Sequence, residues 1–126
     1  MVYDQERRRY GRFEIPGAEG RYKKTGLLVL VKGFSEPCPV VNISKGGLSF
    51  TCDRKLSNCK NLVVELIAPD EVPLRLESIV RRQDRIMGSD KRFTGVEFIP
   101  FGGRSRWNTP ESLGILRKLD EKYRGG

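Results

Sequence analysis

Apolar and polar residues alternate through most of this chain. Leu48, Phe50 and Cys52 alternate with Ser49 and Thr51, the period of two expected of a strand with one buried face. Leu62, Val64 and Leu66 repeat the pattern, as do Leu74, Leu76 and Val80 with charged residues between them, and Thr94, Val96 and Phe98. Val40, Val41 and Ile43 form a further run. Leu27–Val31 is apolar on both faces, as in a buried strand. Turn-forming clusters separate these runs: Lys32-Gly33, Ser35-Glu36-Pro37, Pro69-Asp70 and Gly88-Ser89-Asp90. Six short strands with no helix between them predict a mainly β fold, a six-stranded antiparallel β-barrel.

The two ends differ from this middle. Residues 1–18 are polar and basic and close on Pro16-Gly17, which predicts a flexible N-terminal arginine-rich arm with little core of its own. The barrel is expected over 19–101, where Gly102-Gly103 breaks the chain, and residues 102–126 should form a linker and a C-terminal α-helix. Thr109-Pro110-Glu111 supplies a capping hydroxyl, a proline at the first helical position and an acid in the first turn. Leu113, Leu116, Leu119 and Tyr123 then fall on one stripe, and Lys118, Lys122 and Arg124 sit where the helix dipole favours cations. The whole is a single domain.

Composition narrows the partners. The chain has 126 residues, 32% of them charged, and a net charge of +8, so anionic partners are favoured: nucleotides, nucleic acid or an acidic membrane surface. The longest apolar run is too short to span a bilayer, and the N-terminus lacks a secretory pattern. Cys38, Cys52 and Cys59 form no CxxC, and the chain holds no histidine. They read as reduced thiols of a cytoplasmic protein, with no metal site and no cofactor. No nucleophile has an evident base and no carboxylates cluster, so an enzyme is not expected and no catalytic residue is assigned.

Two polar motifs carry the chemistry. Arg8-Arg9-Tyr10-Gly11-Arg12 is an RxxxR in the basic arm. Arg8 and Arg12 share a face whether the segment is extended or helical. Their guanidiniums can clamp phosphate oxygens, bond the O6/N7 edge of guanine or stack on a purine. Asn42-Ile43-Ser44-Lys45-Gly46-Gly47 is an NxSxxG between two strand-like runs. Asn42 offers an amide to a base edge and Ser44 a hydroxyl to a phosphate. Gly46 and Gly47 would permit positive φ and close approach of a ligand to the backbone. Each motif alone also reads as something plainer, a solvated basic tail or a hairpin turn.

Taken together, an arginine arm, an intervening strand, NxSxxG leading into a strand and a final Gly95-Val96-Glu97-Phe98 strand resemble the PilZ domain family over roughly residues 7–100. That resemblance implies a six-stranded barrel that binds the bacterial second messenger cyclic di-GMP on its outside. Family members act in motility, exopolysaccharide secretion, biofilm formation and virulence. By the resemblance, Arg8 and Arg12 would contact guanine edges and phosphates, while Asn42, Ser44, Gly46 and Gly47 form the other wall. Asn42 stands where many members have Asp, and an amide satisfies only part of guanine's donor edge. Arg7, directly before the motif, could stack on a second molecule, giving a stacked pair of cyclic di-GMP. Ligand binding would order the arm across the barrel, and a downstream protein partner would read the ordered surface. The competing reading is a small basic β-barrel that binds single-stranded nucleic acid, with Phe34, Phe50 and Trp107 as candidate contacts. Phe50 and Phe98 fall in alternating patterns that suit a core, and Trp107 could pack over the barrel end.

Overall fold

The computed structural model describes residues 11–25, 33–56 and 61–124. Six strands close an antiparallel barrel: β1 (Glu19–Lys24), β2 (Cys38–Ile43), β3 (Gly47–Cys52), β4 (Asn61–Ile67), β5 (Leu74–Arg85) and β6 (Arg92–Phe98). Around the barrel they run β1-β2-β3-β6-β5-β4, with β4 pairing back onto β1. One helix, α1 (Pro110–Arg124), follows. The mainly β barrel with a C-terminal helix is therefore as the alternation predicts.

The first described strand is one that the alternation did not mark. Leu27–Val31 lies outside the described residues, whereas Glu19–Lys24 pairs along its full length with β4, from Glu19↔Ile67 to Lys24↔Leu62. In β1 only Gly20 and Tyr22 are buried, so the apolar signal of a strand is nearly missing. Tyr22 stacks on Phe50 inside the barrel with ring centroids 5.7 Å apart. The β1–β2 seam is short, limited to Glu19↔Pro39 and Gly20↔Cys38.

The expected arm also proves divided. Phe13, Ile15 and Ala18 are each buried in the barrel core, alternating with exposed Arg12, Glu14 and Pro16. A short hydrophobic pattern of period two had been hidden among charges, and burying one Phe side chain contributes ~1.5–3 kcal/mol. Arm character can apply only to what precedes this anchor, and residues 1–10 lie outside the described residues.

Two bulges adjust the barrel. In β2 the register slips between Val40 and Asn42, and in β5 between Val80 and Arg82. The first lets both Val40 and Ile43, three residues apart, face the core, and it turns Asn42 to the outer face opposite Ser49.

Helix α1 covers the barrel with Leu116 and Leu119. Its start is capped as the sequence suggests, the Thr109 hydroxyl accepting from the Ser112 amide at 3.1 Å. Just before it, Asn108 is fully buried. Its Nδ2 donates to the carbonyls of Glu77 and Ile99, both at 2.8 Å, and its Oδ1 accepts from the Glu77 amide at 2.6 Å. At the far end, Lys122 and Tyr123 both donate to the Glu71 carboxylate. The Lys122 hydrogen bond holds Glu71 below the usual carboxylate range.

Cys38 and Cys52 are free, buried thiols. Burial first, then the neighbouring Cys52 and Asp53, push the Cys38 thiol up to about 11 from 9.0. Burial likewise pushes Tyr22 up to about 12. Because the folded Cys38 favours its neutral form, its contribution to stability is complete below pH 9 and is lost as pH climbs toward 11. At pH 8 the native thiolate fraction should be roughly 100-fold below that of an unperturbed thiol. Iodoacetamide labelling read by peptide mass spectrometry should therefore be slow at Cys38 in the native protein and fast in denaturant. Equal rates in both would refute this environment.

Candidate functional site

The two sequence motifs meet through a residue that belongs to neither. Phe13 and Ile43 exchange both backbone hydrogen bonds, Phe13 N–H to the Ile43 carbonyl and Ile43 N–H to the Phe13 carbonyl, each at 2.9 Å. This isolated antiparallel bridge sets Arg12, one residue earlier, against Ser44, one residue later. Arg12 is exposed while Phe13 is buried, so the apolar side chain locks the backbone and the guanidinium stays outside. Of the expected ligand contacts, the fold brings Arg12, Asn42, Ser44, Gly46 and Gly47 into one neighbourhood. Arg7 and Arg8 lie outside the described residues.

The turn itself is closely tied. The Ser44 amide donates to the Gly47 carbonyl at 2.8 Å. The Ser44 hydroxyl accepts from the Gly46 amide at 3.2 Å and donates to the Gly47 carbonyl at 3.4 Å. Ser44 thus shapes the hairpin with the same oxygen that could meet a phosphate. On the strand side, Asn42 Oδ1 accepts from the Ser49 hydroxyl at 3.0 Å. That leaves one Oδ1 lone pair and the amide hydrogens for a base edge.

The glycines work differently from the expectation. Neither Gly46 nor Gly47 has positive φ; among described glycines only Gly11, Gly17, Gly88 and Gly102 do. Gly47 starts β3 directly against β6, and a Cβ there would collide with the Val96 carbonyl oxygen. Its lack of a side chain is a packing requirement. At Gly46 a Cβ would meet only the Ser44 hydroxyl, at 3.9 Å. What ties Gly46 down is its carbonyl, which accepts from the Phe98 amide at 2.9 Å.

Further residues that the sequence did not single out complete the surroundings. Cross-strand registers align Asn42, Ser49, Gly95 and Arg82 in one row over β2, β3, β6 and β5. Gly95 leaves that row without a side chain at its middle, and Arg82 closes it, held by Asp84 and 5.7 Å from the Phe93 ring centroid. A second guanidinium approaches from the helix. Gly11, inside the RxxxR, has φ of 69°, and a Cβ on it would overlap the Arg124 side chain. Arg124 is held in place by Asp120, with both hydrogen bonds at 2.6 Å. No local pattern could have revealed these neighbours, since each depends on strand register or on where α1 ends.

The arrangement is a positively charged outer surface with a backbone-lined turn, an amide and a hydroxyl, suited to a planar polar ring joined to phosphate. Among the described residues no three of His, Cys, Asp and Glu group as a metal would require. Nor is any described helix long and apolar enough to cross a membrane.

The glycine geometry makes a direct prediction. Gly47→Ala should shift β3 from β6 and lower the thermal midpoint by several degrees, whereas Gly46→Ala should leave it within about a degree. Paired melting curves check this, and equal destabilisation by the two variants would contradict the geometry.

Comparison with known proteins agrees with the fold. Among curated proteins, none matches the chain. A solved structure, the Bacillus subtilis inhibitor of motility (MotI/DgrA), superposes with a TM-score of 0.65 at 19% sequence identity. The match covers 92% of this chain and 50% of that one, so the chain spans about half the length of that protein. The sequence model of the PilZ domain matches residues 6–107. With the closed six-stranded barrel, the Arg12 side of the arm and the Asn42–Gly47 turn on one surface, the chain belongs to the PilZ domain family.

Proposed function

We propose that this protein is a cyclic di-GMP-binding effector. The observation that carries the reading is the Phe13–Ile43 bridge, which joins the arginine motif to the NxSxxG turn. Membership of the PilZ family supports a binding rather than a catalytic role.

In this reading Arg8 and Arg12 clamp guanine edges and phosphates, and Asn42 and Ser44 bond the opposite side of the ligand. Gly46 lets it approach the turn backbone, and Gly47 sets the turn by packing on β6. The Phe13 anchor holds Arg12 ready before the ligand arrives. Binding then orders the segment carrying Arg7 and Arg8 over the barrel, and a downstream protein partner reads the result. Arg7 stacks on a second molecule, so the ligand is held as a stacked pair. The protein works in the cytoplasm, where the messenger is made and consumed.

Calorimetric titration tests the assignment. Saturable binding of cyclic di-GMP should be weakened about 10–100-fold by Arg12→Ala or Arg8→Ala, the loss of a charge-assisted hydrogen bond of ~1.5–3 kcal/mol. Two ligands per chain support the stacked pair, and one per chain rejects it. Tighter binding of single-stranded RNA than of cyclic di-GMP at matched salt, with a steep salt slope, would replace this reading by the nucleic-acid one.

Arm ordering has its own measurement. Amide exchange over residues 5–14 should slow on ligand addition upstream of Phe13 and change little at Phe13 itself, already bonded to Ile43. Unchanged exchange upstream would rule out the ordering step.

A further inference from the structure

Away from the Ser44 turn, the outer face of β1, β4 and β5 carries an organised run of cations and aromatic rings. Strand alternation puts Arg21, Lys23, Glu65, Arg75 and Glu77 on this face, with Arg21↔Glu65 and Glu65↔Arg75 as cross-strand pairs. Phe34 and Trp107 reach it from two loops. Lys23 Nζ lies 5.3 Å from the Phe34 ring centroid, and the Arg75 guanidinium lies 4.9 Å from Phe34 and 5.6 Å from Trp107. Arg106 continues the series at 5.3 Å from Trp107. The order is cation, ring, cation, ring, cation.

This ladder is rigidly mounted. The Ser105 hydroxyl donates to Glu77 at 2.8 Å and accepts from the Trp107 and Asn108 amides at 3.2 and 3.1 Å. Asn108 is the buried residue that pins the loop to β5 and to Ile99. Glu65 holds Arg75 at 3.0 Å. Long cationic side chains normally lose rotamer freedom on binding; here rings and carboxylates have already restricted them. Arginine and tryptophan held in this way are the residue types that dominate protein interfaces. Beside the ladder lies an open depression of about 490 Å³, lined by Glu65, Leu74, Arg75, Arg106, Trp107 and Thr109, large enough for an apolar side chain.

We propose that this surface docks an acidic protein segment, its carboxylates meeting Lys23 and Arg106 and an apolar side chain entering the depression beside Trp107. Among the described residues Lys23 and Arg106 have no carboxylate partner, so their charge is available. One observation favours protein over single-stranded nucleic acid. Each ring already carries two cations, whereas a base-stacking platform presents uncovered ring faces. The proposal is independent of what binds at the Ser44 turn.

The test is an NMR titration of the full chain with a synthetic 12-residue peptide of Asp and Glu with Leu at every fourth position, and in parallel with 12-residue oligothymidylate at equal salt. The Trp107 indole and Arg75 Nε–H signals should shift saturably with the peptide. Arg106→Glu and Lys23→Glu, both at the surface, should each weaken it at least fivefold while leaving the core signals of Ile43 and Val96 in place. Trp107→Ala should weaken it more than either. Equal shifts at Lys45, Arg85 and Lys118 would reduce the effect to general charge and overturn the proposal. So would tighter binding of oligothymidylate through the same signals, or no shift at millimolar peptide.

Discussion

The site depends on one pair of hydrogen bonds. Without the exchange between Phe13 and Ile43, the arginine motif would be a charged tail and the NxSxxG a hairpin end. The bridge is affordable because Phe13 is itself core. Apolar burial supplies the free energy that holds a charged residue in a defined position. Placement of Arg12 is therefore in part a by-product of packing.

The turn divides its tasks among its residues. Ser44 closes the hairpin through its hydroxyl, Gly47 admits β6, and Gly46 ties the turn to Phe98 through its carbonyl. From Phe98 the chain runs one residue to Ile99, whose carbonyl is held by Asn108, next to Trp107. The outer turn and the cation–aromatic face are thus joined through the end of one strand, with few bonds between them.

How much of this could be read in advance varied by element. Leu48, Phe50 and Cys52, or Leu62, Val64 and Leu66, announce strands because every second residue is large and apolar. The capped start of α1 was equally plain, since Thr109 and Pro110 act locally. β1 was not legible: its inward positions are Gly20 and Tyr22, and its stability comes from pairing with β4 rather than from its own composition. Phe13 and Ile15 were obscured by the arginines around them. The need for glycine at position 47 was legible as a motif but not as a cause, because the obstacle is a carbonyl 49 residues away. The Phe34–Arg75–Trp107 ladder comes from three distant segments, and no local pattern marks it.

The bulge in β2 couples the inside of the barrel to its outside. It acts as a frame change between interior and exterior: residues before it keep one parity, and those after it the other. Val40 and Ile43 can both be core only because one residue between them is supernumerary. The same residues paired without the bulge would put Asn42 inward and Ile43 outward, disrupting the core and the candidate site in one step. Core and motif in this sense share one register, and neither face of β2 can be reset without resetting the other.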